Sequence, residues 1–204
     1  AITNTKLLTL QGSITDASSA THTITKTGYV QPINGSLAQI PNSIDFDGTN
    51  DYVTCAHGLD FTSNYTIECW IKHDSYSGSH SEFLNIGWAF QLYSHTNGKF
   101  YVAVSASNNS TYFLQHDTGI TILNGSWYHV AFVKNGTSYK TYINGTETNS
   151  TTSSSNIGSA PTLMTLGVFD NSGTRNSLYF DGQMSNIRIM QEAKYTSNFI
   201  PSQS

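Results

Sequence analysis

The run WYHVAFVKNGTSYKTYING, residues 127–145, leaves the chain few options. Tyr128, Val130 and Phe132 alternate with His129, Ala131 and Val133, and both sets are largely apolar. Period two sends the sets to opposite faces, so this stretch reads as a central strand covered on both sides. Asn135-Gly136-Thr137 then turns the chain into SYKTYIN, which Asn144-Gly145 ends. Asn-Gly pairs accept the positive φ of tight hairpin turns. A polypeptide written this way pairs antiparallel strands.

The same grammar runs through the rest. In TIECWIK (66–72), Ile67, Cys69 and Ile71 share one face, opposite Thr66, Glu68, Trp70 and Lys72. WAFQLY (88–93) and KFYVAVS (99–105) flank HTNG, a hairpin loop with Gly98 at its end. Trp88, Phe90 and Leu92 alternate toward a core. TYFLQH (111–116), TLMTLGVF (162–169) and LYFDGQMSNIRIM (178–190) are further strands, the last closing a sheet, while 146–159 is a polar loop or weak edge strand. QEAKYTSNFIPSQS at 191–204 accommodates one helical turn and an extended end. Roughly a dozen short strands with almost no helical periodicity predict an all-β sandwich of two antiparallel sheets, one domain over 1–204.

Composition narrows the partners. Only 11 % of the 204 residues are charged, yet 12 % are aromatic, which disordered chains are not. The net charge is −4, and the nine basic residues form no cluster, so no nucleic-acid surface is expected. No apolar run approaches the roughly 18–20 residues of a membrane span, and AITNTKLLTL lacks the basic head of a secretory signal. A start at Ala1 implies methionine removal or other processing. Cys55 and Cys69 read as small buried hydrophobes, with a disulfide as the alternative.

FDGTNDYV, YTIECWIK, GSWYHVAFVKNGTSYKTYINGTE, TLGVFD and FDGQMSNIRIM, in that order, resemble the concanavalin A-like, laminin G-like jelly-roll domains. The resemblance extends over about 7–200, including Asp16, Ser18, His22, Ile24 and Gly28 near the start. It is nearest to the branch found in bacterial surface and phage structural proteins. The ending, with Ala193, Tyr195, Thr196, Phe199, Pro201 and Ser202, resembles phage and marine viral members. Trp127 resembles the family's core tryptophan. Members often bind calcium at one rim, which here implies Asp170 and Asn171 after TLGVF, with Asp74 after TIECWIK.

Catalytic patterns are thin. Asp45-x-Asp47-Gly48-x-x-Asp51 is no EF-hand: position twelve falls on Ala56 and no helix flanks it. Asp47-Gly48 reads instead as a turn, with Asn50 or Asp51 satisfying its amides. Glycoside hydrolysis needs two carboxylates across the scissile bond. None of Glu68, Glu82, Glu147 and Glu192 has an acidic residue two positions away. Cys55-Ala-His57 lacks an orienting third group. The seven histidines lack zinc spacing, and His129 reads as a core histidine bonded to backbone. The eight Asn-x-Ser/Thr sequons follow from the Asn/Ser/Thr-rich composition.

Binding is better supported. Trp70 lies opposite the apolar set of its strand, so that ring needs either cover or a partner. Sugar recognition uses exposed rings with nearby amides and hydroxyls, for which Tyr93, Tyr101, Tyr112 and Asn171 are the candidates. Together with the resemblance, this gives the expectation of a non-enzymatic virion module: a capsid decoration, fibre or tail protein that binds host glycans. It would work as a homo-oligomer or beside other virion proteins. The alternative is a free-standing carbohydrate-binding or adhesion domain of an extracellular protein.

Overall fold

The computed structural model describes residues 5–9, 14–18, 20–33, 43–76, 80–175 and 177–202. Residues 1–4 and 10 of the opening AITNTKLLTL, and 77–79 after TIECWIK, lie outside them. The strands are β1 (Thr5–Thr9), β2 (Ile24–Thr27), β3 (Gln31–Ile33), β4 (Ser43–Asp47) and β5 (Tyr52–Ala56), then β6 (Tyr65–His73), β7 (Ser81–Ile86), β8 (Phe90–Ser94), β9 (Lys99–Val104) and β10 (Leu114–Thr121). β11 (Trp127–Asn135), β12 (Ser138–Ile143), β13 (Thr146–Thr152), β14 (Leu163–Leu166) and β15 (Asp181–Met190) complete them. No described residue is helical.

Two antiparallel sheets result. One has eight strands in the order β13-β12-β11-β6-β15-β4-β3, with β1 also pairing β15. The other has seven, in the order β10-β9-β8-β7-β14-β5-β2. The all-β sandwich predicted from sequence is therefore the architecture observed. The polar stretch 146–159 does supply an edge strand, β13. The closing strand of the chain is not an edge: β15 lies between β6 and β4. Its run Met184–Met190 is buried throughout, which an edge position would not allow.

Period two sorts the core. Val53, Cys55, Leu84, Phe90, Leu92, Val102 and Val104 from one sheet meet Ile67, Cys69, Ile71, Val130 and Phe132 from the other. Burying each such side chain is worth about 1.5–3 kcal/mol. His116 of β10 bridges the two layers, bonding Thr141 at 2.8 Å and Thr151 at 2.9 Å. Burial pulls its imidazole down to about 4, so it stays neutral. Cys55 and Cys69 are both free and buried, one in each sheet. Burial pushes both thiols up, Cys55 to about 12.

The outer side of the eight-stranded sheet is sealed by the chain's own end. Ala193, Tyr195 and Phe199 pack on Ala131, Val133 and Tyr142, so β11 is covered on both faces as expected. The Tyr195 and Phe199 rings stack with centroids 3.5 Å apart. The Trp70 indole N–H donates to the Ser202 carbonyl at 3.0 Å. Trp70 thus finds its cover in the C-terminal strap. The strap forms no helical turn, because its polar groups bond to the sheet instead. The Phe199 amide donates to Gly145 O, and Asn198 Oδ1 accepts from the Glu147 amide, both at 2.9 Å.

Asn144 (φ 51°) and Gly145 (φ 77°) form the expected hairpin turn. A Cβ on Gly145 would lie 1.9 Å from the Phe199 carbonyl oxygen. Gly145→Ala should therefore cost about 1–2 kcal/mol from the backbone alone and also lift the strap. Both effects are read as a lower unfolding midpoint and altered Trp70 fluorescence. An unchanged emission spectrum would show that the strap tolerates the methyl group.

The aspartates of SIDFDGTNDYV bend the chain, as the sequence implied. Asp47 Oδ1 accepts from the Thr49 amide at 2.8 Å, and Gly48 takes φ 75°. Asp51 is 2 % exposed and accepts from the amides of Tyr29 (2.5 Å) and Asp47 (3.2 Å). It ties the stretch beside β2 to this turn.

Candidate functional site

The outward side chains of the seven-stranded sheet form two rungs. Backbone register aligns Thr25, Thr54, Thr165, Asn85, Gln91, Ala103 and Gln115 across all seven strands. A parallel rung aligns Glu82, Tyr93, Tyr101 and Asp117 on β7 to β10. Both lie opposite the core-facing Phe90, Leu92, Val102 and Val104, so alternation alone puts them outside.

The inner members fix the outer ones. Asn85 and Gln91 are almost fully buried although they point away from the core. Gln91 Oε1 accepts from the Tyr112 hydroxyl at 3.0 Å. Gln115 donates to the Tyr93 hydroxyl at 2.7 Å. The Tyr101 hydroxyl donates to Asp117 at 2.8 Å and accepts from Asn97 at 3.0 Å. These bonds hold the phenols: the Asp117 bond leads the causes raising Tyr101, and burial pushes Tyr112 up to about 12.

Rings cluster at both ends of β8. At one end Trp88 lies 6.4 Å from Tyr112 and 4.7 Å from Phe169, and its N–H donates to Asn171 Oδ1 at 3.2 Å. At the other, His80 stacks on Tyr93 (4.3 Å), Tyr93 on Tyr101 (5.6 Å), and His95 lies 4.8 Å from Tyr101. All four sugar candidates read from the sequence, Tyr93, Tyr101, Tyr112 and Asn171, therefore stand on one face. Tyr93 is only 3 % exposed and acts as floor beneath His80. Trp88 does not join the core that alternation predicts for it and is half-buried on this face. Gly87 takes φ 55°, the Ala89 amide turns back to Ile86 O, and Asn108 Oδ1 caps the Trp88 amide at 2.8 Å. That turn resets the phase before β8 begins. Trp127 likewise is half-buried rather than a core ring, with the Lys72 ammonium 6.0 Å from its centroid.

Glu82 carries the most perturbed carboxyl on this face. Burial raises it, the His80 bond at 2.9 Å opposes that, and the result is about 7. Its Oε1 has no hydrogen-bond partner. A register shift between Glu82 and Leu84 turns this carboxyl outward, which no sequence pattern announces.

The three residues proposed for calcium do not converge. Asp170 is bound by Arg175 (2.5 Å), Thr165 (3.1 Å) and the Gly173 amide (2.7 Å). Asn171 is engaged by Trp88, and Asp74 pairs with Lys72 at 2.9 Å. Asp74 belongs instead to a crowded rim with Asp45, Asp47 and Asp181, beside a cleft of about 430 Å³. Burial and mutual repulsion raise Asp181 and Asp45 there. Among the described residues no group of three or more His, Cys, Asp or Glu is arranged to hold a metal ion.

Beneath the strap lies a second buried polar group. Glu68 faces Arg188 Nη1 at 3.1 Å and His129 Nε2 at 3.4 Å. His129 thus pairs with a carboxylate rather than a backbone group.

A family profile described as the concanavalin A-like lectin/glucanases superfamily matches residues 47–196. No curated protein matches at a significant level. Domain 4 of AbnA, a GH43 extracellular arabinanase from Geobacillus stearothermophilus, solved with arabinotriose, has a TM-score of 0.66 at 19 % identity, covering 93 % of each chain. The botulinum neurotoxin type C structure, from work tying its cell entry to two ganglioside molecules, has a TM-score of 0.73 at 12 % identity over 94 % of this chain. The botulinum serotype D binding domain has a TM-score of 0.72 at 15 % identity over 93 % of this chain. This chain spans about half the length of those neurotoxin chains, 49 % in both cases. These neighbours are receptor-binding and carbohydrate-binding domains and do not single out the phage branch. Matched over most of its length and built as two facing antiparallel sheets, the chain belongs to the concanavalin A-like lectin/glucanase superfamily.

Proposed function

We propose that this is a non-catalytic carbohydrate-binding domain working outside the cell, with its ligand on the outer face of the seven-stranded sheet. The observation that carries the reading is the row of half-buried rings, Trp88, Tyr112 and Tyr101, anchored by amides underneath. Sugar recognition pairs flat apolar surfaces with fixed hydrogen-bonding groups. Rings already held by Gln91, Asn97 and Asn171 lose little freedom on binding. The arabinotriose complex of AbnA domain 4 lends support by analogy. Glu82, the one carboxyl on this face raised toward neutrality, is fully buried and bonded to His80, so it has no reach to a scissile bond.

Tyr101→Ala should weaken glycan binding by about tenfold, some 1.4 kcal/mol, with the unfolding midpoint nearly unchanged. Titration calorimetry against a glycan panel measures it. Binding that survives both Tyr101→Ala and Trp88→Ala would move the site off this face. The virion placement draws no support from the neighbours. A stable homo-oligomer in sedimentation would bring it back, whereas a monomer that retains glycan fits the binding domain.

A further inference from the structure

The same face also bears on which glycan it takes, and this step rests on the proposed function. Its two ring clusters stand at opposite ends of β8. At roughly 3.3 Å per residue, Phe90 to His95 spans on the order of 15 Å. One sugar ring cannot touch Trp88 and Tyr101 together. Between them lies the amide rung, where Ala103 is the small member and Gln115 is exposed. Gln91 and Ala103 are buried there, so Gln115 is the hydrogen-bonding side chain of this rung left open to a ligand between the clusters.

Charge is the second observation. The lysine and the arginine described on this face are already answered. Arg175 is held by Asp170 at 2.5 Å and lies 5.2 Å over the Tyr52 ring. Lys99 lies 3.7 Å from Asp117, and His80 bonds Glu82 at 2.9 Å. Two carboxylates, Asp117 and Asp170, thus stand against one lysine and one arginine. An acidic sugar would meet no uncommitted cation and would face like charge at Asp117, which is an arrangement that rejects it.

We infer that the face takes an uncharged oligosaccharide in extended form, with one sugar at the Trp88–Tyr112 cluster and another at the Tyr101–His95 cluster, and excludes chains bearing carboxylate or sulfate. Recognition then depends on length, because the second contact is made at high effective concentration once the first has formed.

The test is calorimetric titration of the intact chain with two ligand sets. The first is neutral arabinan, xylan and glucan fragments of one to six units. The second is oligogalacturonate, sialyllactose and sulfated oligosaccharide. At least one neutral series should gain tenfold or more in affinity as the fragment lengthens to reach both clusters, and acidic ligands should bind at least tenfold more weakly. Trp88→Ala and Tyr101→Ala, checked for folding by thermal melting, should each abolish most of the length gain while leaving short fragments of the opposite cluster bound. Acidic ligands binding as tightly as neutral ones would overturn the inference but leave carbohydrate binding intact. A single unit binding as tightly as the longest fragment would do the same. These wild-type measurements decide the matter even if a variant fails to fold. If no ligand of either set binds, the proposed function itself falls.

Discussion

Glu68→Ala should cost about 3–5 kcal/mol of folding stability, the usual result of removing one partner of a buried ion pair. The carboxylate is 3 % exposed and faces both Arg188 and His129 beneath the strap. Without it the guanidinium is left buried and uncompensated. Burial alone would raise the Glu68 carboxyl, but His129 and Arg188 outweigh it and hold it low. A depressed folded value means that the stabilisation is present above the unfolded carboxyl's pKa. It is lost as pH falls through the folded one. The gap between wild type and variant should therefore be full near neutrality and close in acid. Urea unfolding of both proteins across that range measures it. A gap below about 1 kcal/mol at neutral pH would mean that the strap, not the ion pair, holds this region.

Glu82→Gln should act in the opposite direction. This carboxyl is raised from 4.5 to about 7, first by burial, with His80 only partly opposing. A raised acid holds its proton longer folded than unfolded. Stability is therefore highest below the unfolded pKa and falls as pH rises from about 4.5 through 7. At about 1.4 kcal/mol per unit, the loss is on the order of 3 kcal/mol. Glutamine keeps the shape without the charge. The variant should match wild type near pH 4 and exceed it at pH 8, by that amount less whatever the His80 bond contributes. Parallel stability profiles for the two proteins would rule out an ionisable burden at this position. The same titration sits under the Tyr93 floor, so the comparison also fixes the pH at which ligand binding should be measured.

Much of the fold was legible in the residues because it rests on period two and on turns. WYHVAFVK placed itself in mid-sheet, and Asn144-Gly145 announced its hairpin. What failed did so where the phase breaks. Gly87 reverses the chain before β8, so Trp88 leaves the core that simple alternation gave it. β15 looked terminal because it comes last, yet sequence order says nothing of sheet order. The face itself was half visible. Tyr93, Tyr101 and Tyr112 carried the signal of rings on outward positions, whereas Asn85, Gln91 and Gln115 were passed over. Their alternation with Phe90 and Leu92 was available in the sequence. Their alignment into one rung depends on strand neighbours far apart in the chain. Asp170, Asn171 and Asp74 looked like ion ligands in loops, but Arg175, Trp88 and Lys72 take them up, and none of those pairings follows from spacing.

The C-terminal strap gives the domain a front and a back. One broad side is covered over Ala131, Val133 and Tyr142 by the protein's own residues, while the opposite side presents the partly open ring clusters. Copies set back to back, or a neighbouring module leaning on the closed side, would leave every open side pointing outward. Weak single contacts would then add up into avidity on a polysaccharide surface.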